Sequence, residues 1–210
     1  MAKRYDQYCP MAHALDLVGD RWALLVIREL MRGPKRYTDL VDRLPGIGTN
    51  ILATRLRALE QHGVIGRRTL PPPAASKVYE LTPYGAELRP MMRELALWGA
   101  RSLGPPTDES EFFDGWLGNA LDSVIAAQAP AGRFEFHVGD EVAALVDGTV
   151  VDGPVDDPDV VVEGDPVATY WMLVEGRLDD VDVRGDRALL ERLIDVTPKP
   201  LEAAGAGAAR

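Results

Sequence analysis

PGIGTNILATRLRALEQHGVIGRRTL, residues 45–70, carries a turn, a helix and a strand in that order. Pro45, Gly46 and Gly48 break the chain just before Thr49. From there Leu52, Leu56 and Leu59 recur at helical spacing as one apolar stripe, and Gly63 stops the helix. With the leucines turned inward, Thr49, Asn50, Ala53, Thr54, Arg55 and Arg57 take the rest of the helix surface. The strand that follows, 64–70, carries Arg67 and Arg68 side by side.

The flanking sequence sets this unit in context. Upstream, Pro10 at a first helical position and Gly19 after a last turn bracket a short helix. Asp20 is placed to cap a second, on which Trp22, Leu25, Val26 and Leu30 share a face before Gly33-Pro34. A third short helix carries Leu40, Val41 and Leu44. Downstream, a second strand at 77–81 is joined to the first by the stiff Pro71-Pro72-Pro73-Ala74-Ala75-Ser76. Thr82-Pro83 opens a long helix to about Leu103, with Tyr84, Leu88, Met91, Leu95 and Trp98 at helical spacing. Four helices, a hairpin and a long helix describe a helix-turn-helix with a wing.

In such a unit the helix after the turn reads base edges chiefly with its first residues. Thr49, Asn50, Ala53 and Thr54 lie there. An asparagine can pair with adenine, and an alanine or a threonine methyl can meet the thymine methyl. Arg55 and Arg57 can reach phosphate or guanine. Arg67, Arg68 and, on the opposite strand, Lys77 make a basic hairpin suited to the adjacent minor groove or backbone.

Charge divides the chain. Its formal net charge of −10 seems to oppose nucleic acid, but residues 1–104 hold 16 Lys/Arg against 10 Asp/Glu and residues 105–210 hold 7 against 23. A basic module that meets phosphate is joined to an acidic one that does not. The expected boundaries are a first domain over 1–104, a linker at 105–110 through Pro105-Pro106, a second domain over 111–198 and a flexible tail over 199–210.

Residues 9–103 resemble the HxlR family of winged-helix regulators, a branch of the MarR-like group. The likeness is carried by Cys9-Pro10, LVGDRWALLVIREL (17–30), RYTDLVDRLPGI (36–47), LATRLRALEQHGVIGR (52–67), VYELTPYGAEL (78–88) and LALWG (95–99). The resemblance implies a homodimer built from the first and last helices of the domain. It also implies double-stranded DNA as partner, at a short inverted repeat, with repression commoner than activation. Gly48-Thr49, where the family often has a polar pair, and the proline-rich wing tip depart from the pattern.

Cys9 is the only cysteine, which excludes an internal disulfide and fits a reducing cytoplasm. It stands near the N-terminus of the first helix, a place that raises a thiol's reactivity, with Lys3 and Arg4 close in sequence. Two readings stay open for it: packing against the dimer helices, and redox sensing of the kind some relatives use.

The acidic half alternates helix and strand. Residues 111–128 read as an amphipathic helix, RFEFHV (133–138) as a strand, and EVAALVDGTVV (141–151) as a hairpin about Asp147-Gly148. DVVVEG (159–164) is a further strand, Asp165-Pro166 caps a helix closed by Gly176, and DVDVRGD (180–186) leads into RALLERLIDV (187–196). The stretch VVVEGDPVATYWMLVEGRLDDVDVRGDRALLERLIDV (160–196) resembles the sterol-carrier-protein-like fold. The fold class expected for the whole chain is therefore α+β, a winged helix-turn-helix domain followed by an α+β sterol-carrier-like domain. That second resemblance implies a tunnel for a hydrophobic small molecule, with Phe112, Phe113, Trp116, Trp171 and Met172 as candidate lining.

No motif calls for an enzyme. A P-loop, a dinucleotide fingerprint and a nucleophile elbow are all missing, and His13, His62 and His137 have no obvious acid–base partners. The Asp/Glu cluster at 152–165 lacks the order of a calcium loop, and one cysteine with three histidines is too few for a structural zinc site. No catalytic residue, metal or cofactor is expected, nor a membrane span or secretory leader. Three functions remain in view: a DNA-binding regulator with a hydrophobic effector, a redox regulator acting through Cys9 with a structural second half, and a lipid or small-molecule carrier.

Overall fold

The computed structural model describes residues 5–73 and 75–200. Two units divide between Met92 and Arg93, inside a helix and upstream of the expected linker. Most of the expected tail lies outside the described residues.

The first unit begins with α1 (Pro10–Val18), Pro10 in its first turn and Gly19 at its end. The entry to α2 (Ala23–Met31) differs from the sequence expectation. Its N-cap is Trp22, in the left-handed region at φ 79°. Asp20 offers α2 only its carbonyl, which accepts from the Ala23 N–H, and its carboxylate pairs with Arg55. The buried face of α2 includes Ala23, Val26, Ile27 and Leu30, the i, i+3, i+4, i+7 set of one helical stripe. Leu25, expected on that face, is 39% exposed because it lies about one position round the helix.

α3 (Tyr37–Arg43) and α4 (Thr49–Gln61) follow, joined by the turn at 45–48. Leu52, Leu56 and Leu59 are buried with Leu40, Leu44, Ile47, Val26 and Ile27 in one core, as the leucine stripe required. Gly63, at φ 71°, ends α4 and turns the chain into β1 (Ile65–Thr69). β2 (Lys77–Leu81) pairs with it antiparallel, Ile65 opposite Leu81 and Thr69 opposite Lys77. Lys35 adds a short rung on the other edge of β2 through paired backbone hydrogen bonds with Tyr79.

The long helix expected over 83–103 is two helices, α5 (Pro83–Ala86) and α6 (Arg89–Leu103). Pro90 explains the break. It has no N–H for the Ala86 carbonyl and its ring would meet that carbonyl, whereas the first turn of a new helix tolerates it. Thr82 caps α5, its hydroxyl accepting from the Gly85 N–H at 3.0 Å.

The second unit holds α7 (Trp116–Ala120), which continues through a π-helical turn (Leu121–Ile125) and a 3-10 turn (Ala126–Gln128). Residues 111–115, expected to be helical, are not. Gly115 sits at φ 81°, and the Glu141 carboxylate accepts from the N–H groups of Gly115 and Leu117, so the cap comes from a strand remote in sequence. A five-stranded sheet follows, built from β3 (Arg133–Val138), β4 (Glu141–Val146), β5 (Thr149–Asp152), β6 (Val160–Gly164) and β7 (Asp182–Gly185). The order is β5-β4-β3-β6-β7, and only the central β3–β6 pair is parallel. Asp147 and Gly148, both at positive φ, make the tight β4–β5 turn. α8 (Pro166–Glu175) and α9 (Arg187–Val196) start on Asp165 and Asp186, whose carboxylates accept from the N–H three residues on. Phe134, Phe136, Leu145, Val160, Val162, Met172, Leu190 and Leu193 form the core, all shielded from solvent.

Candidate nucleic-acid interface and apolar cavity

The turn and α3 position the start of α4. The Tyr37 hydroxyl donates to the Thr49 carbonyl at 2.8 Å and so ties α3 to the first residue of α4. Thr49, Asn50 and Thr54 are exposed and Ala53 is half-buried, all off the buried stripe of Leu52, Leu56 and Leu59. The Thr54 hydroxyl donates to the Asn50 carbonyl at 2.8 Å. Arg57 folds along the helix, with Nε donating to the Ala53 carbonyl at 3.2 Å. Arg55 faces elsewhere. Its guanidinium pairs with Asp20 at the α1–α2 turn, and its buried Nε has no hydrogen-bond partner. With His13, Asp16 and His62 these two line a cavity of about 820 Å³ in the first unit.

The wing carries the rest of the basic surface. Arg67 lies over the Tyr79 ring, 5.1 Å from its centroid, and reaches Glu60 at 2.8 Å. Arg68 pairs with Glu80 across the hairpin at 2.7 Å. Both arginine side chains are about half exposed, so these ion pairs are weak and open to exchange for phosphate. Lys77 is exposed on the partner strand. Cys9 stands at the N-cap of α1, half-buried, and its side chain makes no capping hydrogen bond.

The second unit contains a cavity of about 510 Å³. Its walls come from Ala100 and Leu103 at the end of α6, from the stretch 104–110, from α7 and the turns after it, from α8, and from Phe136, Thr197, Pro198 and Pro200. Of the residues the sequence singled out, Phe112 and Trp116 line it, their rings 4.5 Å apart between centroids. Phe113 is not on the wall. Trp171 packs edge-on to Tyr170 and under Arg177, and Met172 is fully buried in the core beneath the sheet.

Thr169, Tyr170 and Leu173 of α8 line the cavity and were not singled out. One signal was legible: PVATYWMLV is apolar on nearly every side, and such a helix needs cover on two faces. The Thr169 hydroxyl is buried without a hydrogen-bond partner. Burial, with the nearby Glu175 carboxylate second, pushes the Tyr170 phenol up from its ordinary value.

Elsewhere in that unit Glu135 is 7% exposed. Its carboxylate accepts from the Val155 N–H at 2.8 Å and bonds His137 at 2.7 Å. Burial alone would raise its pKa. The His137 and Val155 hydrogen bonds, with the charges of His137 and Arg184, outweigh that and hold it below the usual carboxylate range. Among the described residues no group of three or more His, Cys, Asp or Glu could hold a metal ion, and no helix is long and apolar enough to cross a membrane.

Comparison with known proteins bears on the first half of the chain. A family model described as HxlR-like helix-turn-helix matches residues 17–106. The HTH-type transcriptional regulator YodB of Bacillus subtilis is 37% identical over 98 residues, which cover 46% of this chain and 88% of YodB. An HTH-type transcriptional regulator of Synechocystis sp. is 43% identical over 84 residues, 40% of this chain and 62% of that protein's length. Among solved structures, the reduced form of YodB covers 48% of this chain and all of its own, at 34% identity and a TM-score of 0.41. The redox regulator HypR in its reduced form covers 44% of this chain and 91% of its own, at 27% identity and a TM-score of 0.41.

Proposed function

This chain belongs to the HxlR-like helix-turn-helix family of transcription regulators, and from that premise we propose that it is a cytoplasmic homodimer that represses transcription from a short inverted repeat in double-stranded DNA. The observation that carries the reading is the solvent-open start of α4, Thr49 and Asn50, in the same unit as the exposed wing cations Arg67, Arg68 and Lys77. Asn50 and Ala53 read base edges, and the wing arginines exchange their glutamates for phosphate. Arg57 turns from its own helix backbone to the DNA. Arg55 contributes once it leaves Asp20.

Dimerisation is supported by large apolar side chains left in water. Tyr8, Met11 and Leu15 at α1, and Met91, Leu95 and Trp98 on α6, are each more than 40% exposed. A monomer gains nothing from such surface, and a two-fold partner would cover it. It would also set two α4 helices about one turn of DNA apart, roughly 34 Å.

The second unit is sterol-carrier-like in this reading, and its cavity seats a hydrophobic effector. Support comes from the helix-flanked sheet with a single parallel pair and from the apolar walls. The test is fluorescence anisotropy with labelled DNA from upstream of the chain's own gene. Saturable binding that survives excess unrelated DNA at about 150 mM salt is expected. Equal affinity for both DNAs would overturn the regulator reading.

A further inference from the structure

The wall of the cavity in the second unit is made by 23 residues, and none is Asp, Glu, Lys, Arg or His. Composition does not explain this, because the sequence from 105 to 210 holds 7 Lys/Arg and 23 Asp/Glu. A charged group entering such a space would lose its hydration, and the cation beside the wall, Lys199, already donates to the Leu173 and Ile194 carbonyls at 3.3 and 3.1 Å. The volume, about 510 Å³, is that of a small-molecule site.

Besides the indole N–H of Trp116, the polar side-chain groups on the wall are hydroxyls, and several are already used. The Ser110 hydroxyl accepts from the Thr107 N–H at 2.9 Å, and the Thr197 hydroxyl donates to the Leu193 carbonyl at 2.9 Å. Thr169 is different. It is 5% exposed and its hydroxyl has no partner, although a helical threonine ordinarily bonds the carbonyl one turn back. Its Oγ1 is shut off from solvent, 3.5 Å from where a Cβ on Gly164 would stand, so a ligand oxygen meets it only once the side chain turns about χ1 toward the cavity; the bond so formed removes the cost of a buried hydroxyl left unbonded. Tyr170, its neighbour on α8, keeps its phenol proton well past neutral pH and so remains a donor.

We infer that the cavity takes an uncharged, largely apolar molecule bearing a hydrogen-bonding oxygen (an alcohol, ketone or ester) seated at Thr169 and Tyr170, and that it rejects the carboxylate of the same length. This rests on the reading of the cavity as an effector site.

The test uses the full chain at pH 8 with N-phenyl-1-naphthylamine as a neutral fluorescent reporter, displaced by 1-decanol or by decanoate. Decanol should displace the dye at a concentration at least about tenfold below that of decanoate. Thr169→Val should weaken decanol about three- to tenfold relative to the dye, the worth of one hydrogen bond. Thr169→Ser should restore decanol binding. Decanoate competing as well as decanol, or Thr169→Val binding decanol normally, overturns the inference while the effector reading stands. Failure of the dye to bind saturably overturns both. Should Thr169→Val lose the dye as well, the decanol-to-decanoate ratio of the unaltered protein decides.

Discussion

Asn50 and Arg68 both lie on the surface assigned to DNA, but their losses should differ in kind. Asn50 offers a bidentate pair to a base edge, so Asn50→Ala should cost about 1–3 kcal/mol on the preferred site and little elsewhere. Arg68 offers charge to phosphate, so Arg68→Ala should weaken all sequences alike and lower the slope of log affinity against log salt by about one. Anisotropy titrations on two DNAs across 50–200 mM salt separate the two patterns. Equal loss of specificity in both variants would remove the distinction. In the second unit, Glu135 joins β3 to the Val155 loop. Its folded pKa is depressed, so its contribution is present above the unfolded value, about 4.3, and fades as pH falls through the lower folded value. Glu135→Gln should cost about 1–2 kcal/mol near pH 7 and progressively less as the pH falls into the acid range, read by denaturant unfolding at pH 7 and at low pH. An equal loss at both pH values would mean that packing, not ionisation, is at stake.

At the scale of elements, α6 is the helix with most left to explain. Among its residues none is fully buried, and Leu95 and Trp98 are 45% and 71% exposed. If a second copy covers that face, Trp98→Glu should turn dimer into monomer in sedimentation velocity. DNA affinity should fall at least tenfold, because one half-site replaces two. A Trp98→Glu protein that sediments as the unaltered chain would exclude this face from the dimer. A different element, the β7 end, depends on Gly185. Its φ is 94°, and a Cβ there would stand 2.1 Å from the Asp159 carbonyl oxygen. Neither backbone can yield without breaking the β6–β7 ladder, so Gly185→Ala should cost about 2–4 kcal/mol and lower the melting temperature of the second unit.

For the whole molecule the question is how a ligand in one unit could change DNA binding by the other. Ala100 and Leu103 form part of the cavity wall and belong to α6, the helix assigned to dimerisation. Arg93 ties the same helix to Gln128. A ligand that fits one position of α6 better than another must shift the dimer toward it. Saturating 1-decanol should therefore change affinity for the preferred DNA about fivefold or more, the usual span of such couplings. Unchanged affinity with decanol bound would leave a regulator that carries a ligand without answering it. The acidic charge of the second half is no obstacle to the proposed DNA binding, since 1–104 holds an excess of Lys/Arg, 16 against 10 Asp/Glu, for phosphate to meet.

The sequence by itself determined the order of elements and the core stripe of α4. Leu52, Leu56 and Leu59, the glycine stops and the Asp165 and Asp186 caps act within a few residues, and local periodicity and capping read them directly. The same locality misjudged the entry to α2, the break at Pro90 and the start of α7. There an aspartate serves a distant arginine, and a strand carboxylate caps a helix 24 residues before it. Two of the five aromatic and sulfur side chains singled out for a pocket line the cavity, and the unbonded hydroxyl of Thr169 was invisible. Whether an apolar side chain packs into the core or faces a void depends on what chains remote in sequence bring to its other side. That juxtaposition has no local signature, and only the tertiary structure decided it.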